Sequence, residues 1–289
     1  MTANELVQML FGSQPCSINV LDVGAIEIEG ERPAPYIALV EAGHARVVGF
    51  EPDAEGCANL NRKYGESHLF LPYFLGDGKA AVFYETNWPP TGSLFKPHRQ
   101  MLEKFQNLHE LVTLVAEHPI ATKRLDDLPQ VGDIDFVKID AQGAALAVFQ
   151  NGERVLRNAL LVQTEVEFVQ LYENQPLFAD VDVLLRSYGY QFHTFDGFGG
   201  RCFKPLQNPE NINLPMRQAL WSDAIYVKDW LRFDELSLDK LKKLAVLLHE
   251  AIRSFDLCHL VLKAIDGRCG SDFATRYYKA ISLPVQGAG

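Results

Sequence analysis

The sequence predicts an α/β fold with a mostly parallel β-sheet. Short apolar segments alternate with segments of helical periodicity along most of the chain. The apolar segments are nearly continuous, which is typical of strands that helices cover on both faces of a parallel sheet. A chain of 289 residues, 47% of them hydrophobic, also has enough apolar surface to build a sizeable core.

The first third of the chain is predicted to begin with a short helix and to continue with alternating strands and helices. Residues 1–15 place Leu6, Met9 and Leu10 on one side of that helix. The elements predicted after it are strands at 17–24, 46–52 and 69–78 and helices at 33–43 and 54–65.

Residues 79–125 break the alternation of strands and helices. We interpret them as an insertion that covers the functional site. An alternating strand is predicted at 82–87, followed by a loop at 88–98 that is rich in proline and aromatic residues. A polar helix at 99–109 and a strand at 111–117 are predicted to complete the insertion.

The alternation then resumes and ends in a helical region. The predicted elements are strands at 133–141, 159–168, 190–196 and 222–229 and helices at 142–156 and 176–189. Residues 234–288 are mostly helical, with an apolar stripe that would pack against the sheet or against a second copy of the chain. We therefore predict an N-terminal helix (1–16), a principal domain (17–232) and a helical C-terminal extension (233–289), with a homodimer as a possible assembly.

Composition and charge disfavour several classes of function. The net charge is −10 without a basic cluster, so neither nucleic acid nor an anionic membrane surface is an expected partner. The five cysteines are widely spaced, so a zinc or disulfide framework is not expected. Residues 1–17 lack a basic start and a long apolar run, which predicts a cytoplasmic protein without a signal peptide.

The ends of the first two strands predict a nucleoside cofactor. The first strand ends in Asp22, Val23, Gly24 and Ala25, and the second ends in Glu51 and Pro52. Ligands of open α/β sheets bind outside the carboxyl ends of the strands. A glycine there lets the backbone approach a ligand, and an acid after the second strand can accept hydrogen bonds from two ribose hydroxyls.

The first loop favours S-adenosylmethionine over a dinucleotide. The G-x-G-x-x-G fingerprint is absent, and Glu27, Glu29 and Glu31 follow Gly24 closely. A pyrophosphate needs amide donors and a positive field, which these carboxylates oppose. S-adenosylmethionine has no phosphate and carries a sulfonium cation, so an acidic loop tolerates it.

Four segments of the sequence resemble the FkbM-type methyltransferase family. They are LDVGA (21–25), VVGFEPD (47–53), FVKIDAQGAAL (136–146) and EVEFVQLYENQPLF (165–178). The resemblance, which spans roughly residues 17–265, implies a class I methyltransferase (Rossmann-like) fold with a seven-stranded sheet whose last strand is antiparallel. It also implies methyl transfer, usually to an oxygen of a sugar or small metabolite.

The resemblance assigns roles to individual positions. Asp22, Gly24 and Glu51 would bind the cofactor, Asp77 would lie near the adenine, and Asp140 would lie beside the methionine moiety or the acceptor. The chain departs from the family at position 145, where Ala145 stands in place of a common acid. If that acid were catalytic, the protein would be weak or inactive, whereas if it merely faced solvent on the helix, nothing would follow.

Three residues are the candidates for catalysis and three more for contact with the acceptor. Asp140 or Glu165 would act as the base that takes a hydroxyl proton. Lys138 lies on the same strand face as Asp140 and would keep Asp140 ionised. The residues expected to contact the acceptor are Ser93, Glu167 and Tyr172. No metal site is predicted, because the carboxylates lack paired aspartates with a nearby asparagine.

Two alternative functions remain open at this point. A non-catalytic binding or scaffolding protein of the same fold is suggested by Ala145. A nicotinamide-dependent oxidoreductase would need a phosphate-compatible first loop, against which the three glutamates argue.

Overall fold

The computed structural model of the protein describes residues 1–25 and 32–282. Glu27, Glu29 and Glu31, which carry the sequence argument against a pyrophosphate, lie outside the described residues. Their effect on cofactor choice therefore stays a prediction.

The described residues contain ten β-strands. They are β1 (Ile18–Val23), β2 (Ala45–Phe50), β3 (Leu69–Leu71), β4 (Phe74–Leu75), β5 (Ala80–Thr86), β6 (Leu114–Lys123), β7 (Phe136–Ile139), β8 (Leu161–Glu167), β9 (Tyr190–Gly199) and β10 (Trp221–Lys228).

The same part of the chain contains eleven α-helices. They are α1 (Ala3–Phe11), α2 (Ile37–Glu41), α3 (Ala54–Tyr64), α4 (Arg99–Leu102), α5 (Leu108–Leu111), α6 (Ala145–Gln150), α7 (Glu153–Asn158), α8 (Phe178–Ser187), α9 (Leu238–Glu250), α10 (Phe255–Cys269) and α11 (Phe273–Ser282).

Seven strands form the main sheet, in the order β3-β2-β1-β7-β8-β10-β9. Strands β1, β2, β3, β7 and β8 pair in parallel, whereas β10 runs antiparallel to both of its neighbours. The order reverses between β1 and β7, so the carboxyl ends of these two strands flank the crevice where such sheets bind ligands. The predicted α/β class and the antiparallel last strand are confirmed.

Two apolar cores cover the faces of this sheet. On one face, α1, α3, α9 and α10 pack against alternate residues of β1, β2, β7 and β8, including Ile18, Val20 and Phe136. On the other face, α6, α7 and α8 pack against Leu21, Val137 and their neighbours. The apolar stripe of the C-terminal helices is thus buried against the sheet, which is one of the two alternatives left open by the sequence. The homodimer stays a prediction.

A second, smaller sheet of order β4-β6-β5 corrects several predicted boundaries. The segment predicted as one strand at 69–78 is divided: β3 joins the main sheet, while β4 pairs with β6. The predicted helix at 99–109 is two single turns, α4 and α5, and the predicted strand at 111–117 is shifted to β6. A turn at Asn151 and Gly152 splits the predicted helix at 142–156 into α6 and α7.

None of the helices found within residues 1–25 and 32–282 combines the length and apolar character needed to span a membrane.

Candidate active site

The close approach of Gly24 to Asp140 defines the floor of the candidate site. Gly24 follows β1 with a φ of +77°, and a Cβ atom there would overlap the backbone oxygen of Asp140, which follows β7. Only glycine accommodates both the left-handed backbone and this contact. The two parallel strands therefore end side by side, and their carboxyl ends form one ligand-binding edge.

A buried ion pair lies two residues before this edge on both strands. Asp22 of β1 is opposite Lys138 of β7, and the Lys138 ammonium donates to Asp22 Oδ1 at 3.2 Å. The Tyr36 hydroxyl donates to the other carboxylate oxygen of Asp22. Burial lowers the pKa of Lys138, but the carboxylates of Asp22 and Asp140 outweigh it and raise that pKa. The ion pair is with Asp22, whereas the sequence had suggested Asp140 as the partner of Lys138.

Glu51 occupies the end of β2, as predicted, and its side chain is buried. Its Oε1 atom accepts a hydrogen bond from the backbone N–H of Asp53 at 2.9 Å. Burial raises the pKa of Glu51, partly offset by that hydrogen bond. Pro52 follows and is half-buried, and Asp53 caps α3 by accepting from the N–H of Gly56. This hydrogen bond holds the Glu51 carboxylate in place after β2, and Glu51 is not among the described residues that line either cavity.

The first of two cavities at this edge has a volume of about 480 Å³. Residues of the predicted insertion, including Trp88, Thr91 and Leu111, line one side of it. The residues that line the opposite side are Gly24, Asp140, Gln142, Glu165, Glu167, Tyr172, Arg201, Trp221 and Asp223. The cavity thus brings Asp140, Glu165, Glu167 and Tyr172 together.

Four carboxylates share this wall, and the pKa values of Glu165, Glu167 and Asp223 are raised. Burial, together with the charges of Asp140, Glu167 and Asp223, raises the pKa of Glu165 well above its ordinary value. Burial and the charge of Asp140 raise the pKa of Glu167 to about 8, although backbone and Gln175 hydrogen bonds act in the opposite direction. Burial also raises the pKa of Asp223. Carboxylates in this environment are stronger bases than free ones.

Gln142 is a site residue that the sequence interpretation passed over. Its φ of +43° is unusual for a residue with a side chain. Its amide Nε2 donates to Asp140 at 3.0 Å and to Glu165 at 3.3 Å, and its Oε1 accepts from the Tyr172 hydroxyl at 3.3 Å. The sequence signal was the Gln142-Gly143 pair, which begins two residues after Asp140 at the end of β7, a position suited to a left-handed turn.

Ser93 and Tyr172 hold Gln142 in this conformation. The Ser93 hydroxyl, which is buried, donates to the backbone oxygen of Gln142 at 2.6 Å. The Tyr172 hydroxyl donates to the backbone oxygen of Thr91 at 2.8 Å and so ties the insertion to the same corner. Tyr172 lines the cavity, whereas Ser93 lies behind its wall and acts through Gln142.

The two remaining predicted cofactor residues, Ala25 and Asp77, lie in different parts of the structure. Ala25 lines the second cavity, beside Gly24. Asp77 is exposed on the turn between β4 and β5, where its carboxylate pairs with Lys79 Nζ at 3.1 Å. The backbone N–H of Lys79 lowers the pKa of Asp77. Asp77 is not among the described residues that line either cavity.

The second cavity, of about 1060 Å³, adjoins the first and shares Gly24, Asp140 and Asp223 with it. It extends over the sheet face that carries Asp22, Lys138 and Gln163. These three residues are cross-strand neighbours on β1, β7 and β8.

Ala145 lies in the apolar core and not in the candidate site. It is 5% exposed and packs in the cluster that contains Leu21, Val137 and Val148. The acid that the family commonly has at this position would therefore not face either cavity in this chain. Ala145 gives no support to a non-catalytic function.

Within the described ranges, no group of three or more His, Cys, Asp and Glu side chains is arranged to hold a metal ion.

Residues 22–192, more than half of the chain, match the sequence model of the Methyltransferase FkbM domain. The chain belongs to the FkbM methyltransferase family. The match begins at Asp22 and ends within β9. It includes Gly24, Glu51, Asp140, Glu165 and Glu167, whereas Asp223 lies outside it. The resemblance inferred from the sequence is confirmed.

The fold of this FkbM family member is similar to those of several solved methyltransferases. An FkbM methyltransferase from Methylobacillus flagellatus shares 14% identity, with a TM-score of 0.40 over 74% of this chain and 44% of that one. Magnesium protoporphyrin IX methyltransferase from Synechocystis, solved with bound SAM, shares 14% identity, with a TM-score of 0.37 over 78% of this chain and 76% of that one. A SAM-dependent methyltransferase from Methanosarcina mazei shares 11% identity, with a TM-score of 0.31 over 76% and 96% of the two chains. No curated protein sequence matches the chain significantly.

Proposed function

We propose that this FkbM family member is an S-adenosylmethionine-dependent methyltransferase whose acceptor is a hydroxyl of a sugar or small metabolite. The observation that carries the proposal is the meeting of Gly24 and Asp140 at the reversal of strand order, next to a cavity walled by carboxylates. Membership of the family supplies the reaction class.

The residues at the strand ends fit the cofactor. Gly24 lines both cavities, and its lack of a Cβ atom lets the end of β1 lie against the backbone of Asp140. The Glu51 carboxylate can accept hydrogen bonds from ribose hydroxyls, because its position is fixed by the Asp53 N–H. The acidic cavity would also stabilise the positive charge of a sulfonium. When bound, S-adenosylmethionine supplies an activated methyl group.

The chain itself supplies alignment and a base. Glu165 lines the acceptor cavity, and Gln142 orients both it and Asp140. The hydroxyl proton of the acceptor passes to one of these carboxylates as its oxygen becomes nucleophilic. Burial raises the pKa of Glu165, which makes its ionised form a stronger base than a free carboxylate. Lys138 stabilises Asp22 beneath the site and does not take part in proton transfer.

Calorimetric titration with S-adenosylmethionine, S-adenosylhomocysteine and NAD tests the cofactor assignment. We expect both methionine-derived ligands to bind and NAD not to bind. Glu51→Ala should weaken binding by roughly tenfold or more, because hydrogen bonds to a charged group are worth about 1.5–3 kcal/mol. Glu55→Ala, which removes an exposed acid from the same helix region, is the matched control. Folded protein that binds neither ligand would contradict the proposal.

A further inference from the structure

Two acids and one amide oxygen form an unexplained group of acceptors where the two cavities meet. Asp223 on β10 lies directly opposite Asp196 on β9, so two like charges face each other across the sheet. Such pairs destabilise a sheet unless something compensates them. Both side chains line the second cavity, and Asp223 also lines the first.

Gln163 adds an independent observation. Its Nε2 atom donates to Asp223 Oδ2 at 3.0 Å, which fixes the orientation of the amide. Its Oε1 atom is buried and has no hydrogen-bond partner among the described residues. Gln163 is 6% exposed and lines the second cavity beside Asp223. A buried amide oxygen without a donor is unfavourable unless a ligand supplies one.

Two cations that line the cavities, Lys138 and Arg201, are hydrogen-bonded to other groups. The Lys138 ammonium is 3.2 Å from Asp22, and Arg201 donates to the backbone oxygens of Gly200 and Asn213. Arg32 and Lys63 also line the second cavity, but the five carboxylates of its lining outnumber its three cations. The carboxylates are those of Asp22, Glu41, Asp140, Asp196 and Asp223. An additional positive donor is therefore the group that this corner is suited to bind.

We propose that Gln163, Asp223 and Asp196 form a subsite for a protonated amine of the methyl acceptor, so that the acceptor is an amino alcohol such as an amino sugar. The inference rests on the proposed function and specifies its acceptor. Asp223 lies opposite Glu165, and Gln163 is two residues from Glu165 on the same strand face. Two strand residues span about 7 Å, so one molecule of sugar size can place a hydroxyl at Glu165 and an amine at Gln163.

Three hexoses that differ in charge test the subsite. Binding of D-glucosamine, N-acetyl-D-glucosamine and D-glucuronic acid is measured by saturation-transfer NMR and calorimetry, with and without S-adenosylhomocysteine. We expect glucosamine to bind at least tenfold more tightly than the other two. Equal binding, preference for the acid or the absence of glucosamine binding would overturn the subsite, and tighter binding of Mg²⁺ or Ca²⁺ than of glucosamine would overturn it as well.

Two variants separate the subsite from general charge effects. Asp223→Asn should abolish the preference for glucosamine and raise the thermal unfolding midpoint, because it relieves the repulsion of Asp196. Asp272→Asn removes the same charge from the exposed residue before α11 and should leave the preference for glucosamine unchanged. Preference retained in Asp223→Asn, or a lowered midpoint, would contradict the proposal.

The binding of S-adenosylhomocysteine distinguishes failure of the amine subsite from failure of the proposed function. If it binds and glucosamine shows no preference, the amine subsite fails while the proposed function stands. If it does not bind to folded protein, the proposed function fails.

Discussion

Lys138 and Asp22 form a buried ion pair across β1 and β7, with 3.2 Å between Nζ and Oδ1. The pair lies directly below the edge where Gly24 meets Asp140, so it fixes the two strands that carry the site. Removal of one partner would leave the other charge buried and unpaired. We expect Lys138→Met to lower the free energy of unfolding by about 3–5 kcal/mol.

Urea unfolding of three variants checks this expectation. Asp22→Asn alone should also be destabilising, and the double variant should lose less than the sum of the two single losses. Additive losses would show that the two residues do not interact in the folded protein.

Gly24→Ala should abolish cofactor binding and destabilise the fold. The new Cβ atom would overlap the backbone oxygen of Asp140, and the left-handed conformation adds about 1–2 kcal/mol. Gly43→Ala is the control, because Gly43 has a φ of +73° but open space around its Cβ position. Calorimetry and thermal unfolding should show a much larger effect at Gly24, and equal effects would refute the steric argument.

Glu167 gives the unliganded protein a pH-dependent stability. Burial and Asp140 raise its pKa from 4.5 to about 8, so the folded chain binds more protons than the unfolded chain between these values. The free energy of unfolding should therefore fall as the pH rises from about 4.5 to 8, at up to about 1.4 kcal/mol per pH unit.

Denaturant unfolding across this pH range compares Glu167→Gln with the wild type. The variant should show a smaller decrease, because the neutral amide replaces the titrating group. Glu173→Gln, beyond the carboxylate wall, should keep the wild-type slope. A wild-type stability that rises through this range would show that Glu167 is ionised in the folded protein throughout.

Gln142→Gly should lower the turnover of the enzyme without lowering its stability. Glycine relieves the left-handed strain at φ +43° but removes the donors to Asp140 and Glu165. We expect unchanged or higher stability together with a loss of kcat of up to about 100-fold, since misplaced catalytic groups cost that much.

Arg253→Gly, at another residue with positive φ, is the control for Gln142 and should leave turnover unchanged. If Gln142 only shapes the turn, Gln142→Gly would retain full kcat.

Ala145→Glu should destabilise the protein and not enhance turnover. The new carboxylate would be buried among Leu21, Val137 and Val148, at a cost of about 3 kcal/mol or more. Gln150→Glu adds the same charge at an exposed position of α6 and should be tolerated. Higher turnover in Ala145→Glu would instead support a catalytic acid at this position.

Local periodicity made most of the fold predictable. Strand runs such as residues 17–24 and 46–52 are short and apolar, and glycine or proline ends them, so β1 and β2 were found within a residue or two. The segment 69–78 was not predicted correctly, because its division between two sheets depends on the pairing of β4 with β6, nearly 50 residues away. Residues of the insertion carry little periodicity of their own.

The fold class, the family and the positions of the acids and of Gly24 at the strand ends could be predicted from the amino-acid sequence, because these depend on short-range patterns. Tertiary structure decided the pairing of Lys138 with Asp22, the burial of Ser93 behind Gln142, and the placement of Ala145 in the core. Each of these rests on contacts between elements far apart in the chain. A side chain's partner across a sheet is set by strand order and register, which no local pattern encodes.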